Sequence, residues 1–218
     1  MSPSFEDDIA KRMSRFQLLL NASNFRFKQY QYDGVEWCIR NELRPNPLNN
    51  VRGGFIADEM GLGKTLLMIG TMVANFQAKT LIVVPPILLH QWANEIEMVC
   101  GGHKALIYTN KNKNKPDIDN AYIVITSYSQ LQTKHCILNK VVWNRVIFDE
   151  AHHLRNRNTQ RFKACLQLKT RIRWLVTGTP VQNKMKDFYS LCLAAKIQLV
   201  DLDVIIRHFM LRRTKAQV

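Results

Sequence analysis

Hydrophobic residues recur along this chain with two spacings, one typical of helices and one typical of buried strands. Helical spacing begins after Ser4, whose side chain can cap a helix with apolar residues at Ile9, Met13, Phe16 and Leu20. Continuous apolar runs rich in β-branched residues predict strands that are buried on both faces, as in parallel sheets. Such runs lie at 55–57, 80–84, 105–108, 122–125, 145–148 and 173–176. Helices are predicted after residue 65, over 87–99 and over about 184–196, so the pattern indicates an α/β fold, a mostly parallel sheet with helices on both faces.

The first strand runs into the segment Asp58–Thr65, called the phosphate loop below, which reads DEMGLGKT. Backbone N–H groups of such a loop point into one concavity at a helix N-terminus, where a di- or triphosphate is favoured. Lys64 would reach the β- and γ-phosphates, and the Thr65 hydroxyl would ligate Mg²⁺. The usual loop has a glycine where this one has Asp58, so a plain turn before a buried helix stays an alternative.

A second strand ends in two carboxylates, Asp149 and Glu150. Ligands of open α/β sheets bind outside the carboxyl ends of the strands. Asp149 can hold Mg²⁺ through water, while Glu150 orients and deprotonates an attacking water. Such a pair alone usually caps a helix, but after a GKT loop in the same α/β series the catalytic interpretation is favoured.

Three further residues suit a nucleotide. Gln31 is predicted to lie just before a helix. Its amide offers one acceptor and two donors, which matches the N6/N7 edge of adenine, although a surface glutamine is the common alternative. Thr177 and Thr179 follow the last predicted strand and could hydrogen-bond the carboxylates and sense the γ-phosphate; a tight turn is the alternative.

Three hydroxyl side chains, Thr126, Ser127 and Tyr128, follow another strand. Hydroxyls and free N–H groups at that position suit contacts with backbone phosphates of a nucleic acid. Capping of the next helix explains them equally well.

The charge balance favours a polyanionic partner. The chain has 31 Lys+Arg against 17 Asp+Glu, a net charge of +14, spread along the sequence in a way that favours a folded basic face. A soluble basic protein with no nucleic-acid role is the alternative. No apolar run reaches membrane length, so a soluble, non-secreted protein is expected, and the five scattered cysteines predict reduced thiols without a zinc-site spacing.

Seven motifs in order resemble the Swi/Snf-related DNA-dependent ATPases of helicase superfamily two, over nearly the whole chain after about residue 25. They are YQxxGVxW (30–37), DEMGLGKT (58–65), LIVVPPILLHQW (81–92), ITSY (125–128), DEAH (149–152), TGTPVQN (177–183) and FMLRRTK (209–215). The DEMGLGKT string is typical of this family, which accounts for Asp58 in place of glycine. The resemblance implies a RecA-like P-loop NTPase lobe that uses ATP and Mg²⁺.

The resemblance also implies roles for individual residues. Catalytic residues would be Lys64, Asp149 and Glu150, with Thr65 and Asp149 at the metal. The implied nucleotide contacts are Gln31, Asp58, Glu59, Met60, Gly61, Leu62, Gly63, Lys64 and Thr65. Coupling of hydrolysis to motion would use His152, Thr177 and Thr179. The implied nucleic-acid contacts are Pro85, Thr126, Ser127, Tyr128, Arg155 and Asn156.

The resemblance further divides the chain into an N-terminal helical extension (1–24), an ATP-binding domain (25–203) and the start of a linker (204–218). The linker would lead to a second RecA-like lobe, in cis or in trans, whose motifs, including an arginine finger, have no match here. Because such a finger is worth about 10³ to 10⁵ in rate, slow turnover is expected of this chain alone.

Duplex DNA is the expected partner, with no membrane, and the expected location is intracellular and nuclear, with a large DNA virus as an open alternative origin. Two other functions stay open. One is a non-catalytic nucleic-acid-binding or regulatory module that retains a nucleotide site. The other is an RNA helicase lobe, because DEAH also occurs there; residues 58–65 and 211–215 favour the DNA translocases.

Overall fold

The computed structural model describes residues 4–22, 27–109, 117–134, 136–179, 185–198 and 201–218. The strands are β1 (Arg52–Ile56), β2 (Thr80–Val84), β3 (Leu106–Tyr108), β4 (Ile123–Ser127), β5 (Val142–Phe148), β6 (Lys169–Val176) and β7 (Met210–Leu211). The helices are α1 (Phe5–Ala22), α2 (Gln29–Leu43), α3 (Lys64–Ala74), α4 (Leu89–Val99), α5 (Tyr128–Leu131), α6 (Gln160–Gln167), α7 (Met185–Ala194) and α8 (Leu202–Phe209).

The seven strands form one sheet in the order β3-β4-β2-β5-β6-β1-β7. Every strand pair in it is parallel. All carboxyl ends therefore lie along one edge of the sheet, called the carboxyl edge below. This arrangement confirms the predicted α/β fold, and it brings the ends of β1 and β5, where the sequence places the chemistry, to the same edge.

Helices cover both faces of the sheet. Because side chains alternate along a strand, Leu81 and Val83 of β2 enter one hydrophobic cluster, and Ile82 and Val84 enter the other. The first cluster contains buried residues of α5 to α8, and the second contains those of α1 to α4. Burial on both faces explains why the strands read as unbroken apolar runs.

The first predicted helix is confirmed. The Ser4 hydroxyl accepts a hydrogen bond from the Asp7 N–H at 3.2 Å, which caps the start of α1. Ile9, Met13 and Phe16 are buried in the hydrophobic cluster that includes residues of α2 and α3. The helical extension is thereby packed onto α2 and α3.

Three elements were not predicted from sequence: α6, α8 and β7. Thr159 and Asp201 cap the two helices, but each helix is only eight residues long. Strand β7 has two residues and is defined by its pairing with β1. The division of the chain at residues 24 and 203 stays a prediction: residue 24 lies outside the described residues, and α8 crosses residue 203. The end of the TGTPVQN motif, residues 180–183, also lies outside the described part.

Among the described helices, none has both the length and the apolar character of a membrane-spanning segment. All five cysteines are free thiols, and four of them are buried. The described residues contain no group of three or more His, Cys, Asp or Glu side chains placed to hold a metal ion together.

Candidate functional site

The phosphate loop and the Asp149–Glu150 pair meet at the carboxyl edge of the sheet. They line one cavity of about 580 Å³, called the phosphate cavity below. The loop contributes Met60, Gly61, Gly63, Lys64 and Thr65; residues of α4 and of the turn before it complete the wall. Two segments about 90 residues apart in sequence, predicted to act together, thus face the same space.

Glycine is required at two positions of the phosphate loop. Gly61 has a φ of 89° and Gly63 a φ of 77°, both in the left-handed region. A Cβ on Gly63 would also lie 2.4 Å from Nε2 of Gln31. Because α3 begins at Lys64, the unpaired N–H groups of its first turn are at the phosphate cavity, where they favour an anion.

The Lys64 ammonium lies across the phosphate loop. Its Nζ donates to the backbone carbonyls of Asp58, at 2.9 Å, and Glu59, at 3.3 Å. Burial lowers the pKa of Lys64, and the nearby carboxylates of Glu150, Asp58 and Asp149 act in the opposite direction. The ammonium is therefore held at the cavity by neutral acceptors, which a phosphate oxygen can replace.

Asp58 and Glu59 bind the end of the chain through their side chains. The Asp58 carboxylate is fully buried and accepts hydrogen bonds from the Arg213 backbone N–H and guanidinium. The Glu59 carboxylate accepts the Lys215 N–H at 2.8 Å. Contacts of Asp58 and Glu59 with a nucleotide stay predictions. Because both carboxylates already accept hydrogen bonds from the end of the chain, backbone groups of the loop would make such contacts.

Asp149 is held by two hydrogen bonds. Its Oδ2 accepts from Nε1 of Trp92 at 2.8 Å, and its Oδ1 accepts from the Glu150 N–H at 2.9 Å. Burial raises the pKa of Asp149, while the bonds from Trp92 and the Glu150 backbone lower it. Each oxygen keeps acceptor capacity beyond its one bond, so the carboxylate remains able to bind a hydrated cation.

Replacing Trp92 by phenylalanine is expected to raise the Mg²⁺ concentration needed for ATP binding by about tenfold, in the range measured for residues that orient metal ligands. Without the indole N–H, the pKa of Asp149 rises further above its ordinary value. Since only an ionised Asp149 would bind the predicted cation, Mg²⁺-dependent ATP binding should be lost at a higher pH than in the wild type as the pH falls. Titrating ATP binding with Mg²⁺ across a series of pH values measures both effects.

Trp143 provides the matched control. It is equally buried, and its Nε1 donates to the Leu138 carbonyl, away from the phosphate cavity. The substitution Trp143→Phe should leave the Mg²⁺ and pH dependence unchanged. Equal behaviour of the two variants would refute a role for Trp92 in orienting Asp149.

Glu150 lies in a strained turn directly after Asp149. Its φ of 49° is in the left-handed region, an uncommon conformation for a residue with a side chain. Its Oε2 is 3.0 Å from Nδ1 of His152. The backbone of Glu150 is therefore constrained by the turn, and its carboxylate contacts an imidazole at the wall of the phosphate cavity.

The two threonines after β6 are hydrogen-bonded to each other, and Thr179 is also bonded to Arg155. The Thr179 N–H donates to the Thr177 hydroxyl at 3.3 Å. Arg155 donates through Nη2 to the Thr179 carbonyl and hydroxyl oxygens. Bonds from the threonines to the carboxylates stay a prediction, and Arg155, an implied nucleic-acid contact, is joined directly to the implied coupling segment.

Gly178 brings this segment close to the phosphate loop. A Cβ on Gly178 would lie 3.1 Å from Cγ of Met60 and 3.4 Å from Nζ of Lys64. The side-chain-free residue thus allows the chain after β6 to pass directly over the Lys64 ammonium.

Strand β4 extends two residues beyond the predicted run 122–125, so Thr126 and Ser127 lie inside it and Tyr128 begins α5. All three hydroxyl side chains are directed inward. Thr126 donates to the Tyr108 carbonyl, Ser127 shares a hydrogen bond with Ser129, and the Tyr128 hydroxyl donates to the Asp149 carbonyl at 2.7 Å. Ser127 precedes α5 without a side-chain capping bond, so the capping alternative is wrong for this residue. Their contacts with phosphates stay a prediction, as do those of half-buried Pro85 and exposed Asn156.

Gln31 lies inside the first turn of α2, which corrects the prediction that it precedes the helix. The start was missed because Lys28, the residue before α2, is not a usual capping type. Its Oε1 accepts the Lys28 N–H at 3.0 Å, and its Nε2 donates to the Leu62 carbonyl at 3.4 Å. The Gln31 side chain is buried between α2 and the phosphate loop. Its hydrogen bonding to adenine stays a prediction.

A second cavity lies beside the phosphate loop, next to the start of α2. Its volume is about 670 Å³, and we call it the base-side cavity. Its walls include Tyr30 of α2, Gly61 and Leu62 of the loop, and Lys215 and Val218 at the end of the chain. Gly61 lines both this cavity and the phosphate cavity, so the two cavities are adjacent.

Sequence reasoning assigned no individual role to Trp92 or Arg213. Both lie in motifs that were recognised, LIVVPPILLHQW and FMLRRTK. Asp58, a carboxylate directly after an apolar strand, was the available sequence signal for Arg213, because a charge buried there requires a partner. No sequence signal pointed the Trp92 indole at Asp149.

Comparison with known proteins agrees with the family resemblance of the sequence motifs. Residues 30–200 match the SNF2-related domain. A probable ATP-dependent helicase of Plasmodium falciparum is 33% identical over 83% of this chain and 9% of its own length. The DNA repair protein rad8 of Schizosaccharomyces pombe is 35% identical over 68% of this chain and 16% of its own length.

A solved structure is similar in fold as well as in sequence. The Sulfolobus solfataricus SWI2/SNF2 ATPase core in complex with dsDNA superposes with a TM-score of 0.74 at 27% identity. The match covers 88% of this chain and 45% of that chain. This chain therefore spans about a tenth to a sixth of those two curated relatives and less than half of the solved ATPase core.

Proposed function

Because this chain belongs to the SNF2-related family, we propose that it is the ATP-binding lobe of a DNA-dependent ATPase that moves along duplex DNA and remodels protein–DNA complexes. The observation that carries the proposal is the shared cavity of the phosphate loop and the Asp149–Glu150 pair. A phosphate-binding loop and a carboxylate pair at one edge of a parallel sheet are the parts that phosphoryl transfer to water requires.

The residues present fit ATP and Mg²⁺. The phosphate cavity combines a helix N-terminus, an ammonium and glycines at positive φ, which suit a triphosphate. Thr65 and Asp149 supply the hard oxygen ligands that Mg²⁺ prefers. Bound Mg²⁺–ATP would supply the transferable phosphoryl group and the metal charge that offsets its negative oxygens.

The protein residues then have separate tasks. Lys64 binds phosphate oxygens in place of the loop carbonyls, and Asp149 holds the hydrated cation through an oxygen oriented by Trp92. Glu150 orients a water molecule and accepts its proton, with His152 holding the carboxylate in place. A continuous path leads from the phosphate cavity through Gly178 and Thr179 to Arg155. Arg155 adjoins exposed Asn156, and we assign both residues to contacts with nucleic acid.

Duplex DNA is the proposed partner, supported by the net charge of +14 and by the DNA complex formed by the Sulfolobus ATPase core. We assign a second RecA-like lobe, in cis or in trans, the role of completing the site with an arginine finger. The proposed location is the nucleus of a eukaryotic cell or, for a large DNA virus, the site of viral DNA replication.

ATP turnover should be measured without nucleic acid, with duplex DNA and with RNA of equal length. We expect slow turnover that duplex DNA raises and RNA does not. Glu150→Gln should retain ATP binding and reduce turnover at least about 100-fold, because general-base catalysis contributes that order of rate. Glu95→Gln, on α4 at the same cavity, is the matched control and should turn over ATP normally.

Two results would overturn the proposal in different ways. Stimulation by RNA equal to or above that by duplex DNA would favour an RNA helicase lobe. ATP binding with turnover equal to that of Glu150→Gln under every condition, including added second lobe from the Sulfolobus core, would favour a non-catalytic module.

A further inference from the structure

We propose that Arg213 is a positioning residue that fixes the base side of the nucleotide site against its phosphate side. The inference rests on the proposed function and adds a role for a residue about 150 positions from the phosphate loop. Arg213 is the residue through which the end of the chain contacts both Asp58, in the loop, and Tyr30, at the start of α2.

Arg213 donates four hydrogen bonds and makes one contact with an aromatic ring. Its backbone N–H and Nε donate to Oδ1 of Asp58 at 2.9 and 3.1 Å, and Nη2 donates to Oδ2. Nη1 donates to the Tyr30 carbonyl, and the guanidinium lies over the Tyr30 ring, 5.2 Å from its centroid. The planar, forked guanidinium can make these bonds at once, which a lysine ammonium cannot.

Gly34 of α2 leaves room for the Arg213 side chain. Gly34 lies in the interior of α2, where glycine ordinarily destabilises a helix. A Cβ at this position would lie 3.0 and 3.3 Å from the two terminal nitrogens of Arg213, and 2.6 Å from Cδ1 of Leu67. The glycine of the YQxxGVxW motif thus allows α2 to pack against the guanidinium and α3.

The backbone around Arg213 runs alongside the phosphate loop. The Ala57 N–H donates to the Leu211 carbonyl at 2.8 Å, and the Glu59 N–H donates to the Arg213 carbonyl at 2.9 Å. These bonds extend the β1–β7 pairing beyond the strands. The start of the phosphate loop is therefore held on one side by the segment 211–215.

Tyr30 lies between Arg213 and the base-side cavity. Its hydroxyl donates to the Leu62 carbonyl at 3.3 Å, and its neighbour Gln31 donates to the same oxygen. Without Arg213, these two longer bonds are the only hydrogen bonds between α2 and the loop among the described residues. The walls of the base-side cavity then lose their fixed spacing, while the phosphate cavity keeps Lys64 and the helix N-terminus.

The distinguishing measurement compares ATP with inorganic triphosphate, which lacks the base and the ribose. In Arg213→Gln we expect the Kd for ATP to rise at least about tenfold and the Kd for triphosphate to change by less than about threefold. Arg213→Lys keeps a positive charge beside buried Asp58 but loses the fork and the planar contact with Tyr30. It should therefore fold and show the same selective loss.

Arg212→Gln is the matched control, because Arg212 is an exposed neighbour of the same charge. It should bind both ligands as the wild type does. Thermal unfolding of each variant identifies any that fail to fold, in which case Arg213→Lys decides.

Equal weakening of ATP and triphosphate in a folded variant, or no weakening of either, would overturn the inference. A wild-type chain that binds neither ligand would instead refute the proposed nucleotide site, so the two failures are distinguishable.

Discussion

Replacing Lys64 by alanine is expected to weaken ATP binding by about 100-fold, which corresponds to about 2.8 kcal/mol. Nζ of Lys64 is at the phosphate cavity, and within the described part of the chain it donates hydrogen bonds to two neutral carbonyl acceptors of the loop. Bound phosphates would exchange these for charge-assisted bonds, and alanine removes both the charge and the donor. Equilibrium titration with ATP and Mg²⁺ measures the loss directly.

Lys104→Ala removes the same charge from the other end of the sheet and serves as the control. Lys104 is an exposed side chain near the amino ends of the strands, beside Glu97. It should bind ATP with wild-type affinity at moderate salt. If Lys64→Ala and Lys104→Ala bind equally well, Lys64 does not contact the phosphates.

Replacing Glu42 by alanine is expected to lower the free energy of unfolding by about 3 to 5 kcal/mol. Glu42 and Arg145 form an ion pair whose two side chains are completely buried. The Glu42 carboxylate also accepts hydrogen bonds from Nε1 of Trp174 at 2.7 Å and from Nδ2 of Asn75 at 2.6 Å. Removing the carboxylate leaves the Arg145 charge buried without its counter-ion.

The position of this network links stability to the site. Glu42 lies near the end of α2, Asn75 follows α3, and Arg145 and Trp174 lie in β5 and β6. The other ends of α2, α3 and β5 carry Gln31, Lys64 and Asp149. The buried ion pair therefore holds together α2, α3 and β5, the elements that meet again at the phosphate cavity.

Urea denaturation of three variants separates the ion pair from ordinary charge loss. Glu36→Ala, on the same helix, removes a partly exposed partner of Arg40 and should cost less than about 1 kcal/mol. Glu42→Leu combined with Arg145→Met should recover much of the loss, because apolar residues of similar volume leave no buried charge. A Glu42→Ala variant no less stable than Glu36→Ala would contradict this account.

The sheet was predictable because parallel strands buried on both faces have a distinct composition. Runs such as Leu81–Val84 contain no polar alternation, and they are bounded by prolines or by charged residues. The glycine positions of the phosphate loop and the carboxylates after Phe148 also identified the carboxyl edge without structural information. The residue types in each segment and the order of the segments were enough to predict this part of the fold.

Contacts between distant residues were not predictable in the same way. The bond between Trp92 and Asp149 joins residues 57 positions apart, and the bonds between Arg213 and Asp58 join residues 155 positions apart. Their existence depends on the packing angle of α4 and on the pairing of β7 with β1. Two-residue β7 has no periodicity from which a strand can be recognised.

The most direct test of the central claim is the mapping of bound Mg²⁺–ATP by amide chemical shifts in the labelled chain. The account predicts large changes at residues 58–65 and 149–150, with further changes at Tyr30 and Gln31 beside the base-side cavity. It predicts small changes at Phe76 and Tyr122, whose rings pack 5.5 Å apart near the amino ends of the strands. Changes concentrated around Phe76 and Tyr122, or none at the phosphate loop, would contradict the assignment of the carboxyl edge as the ATP site.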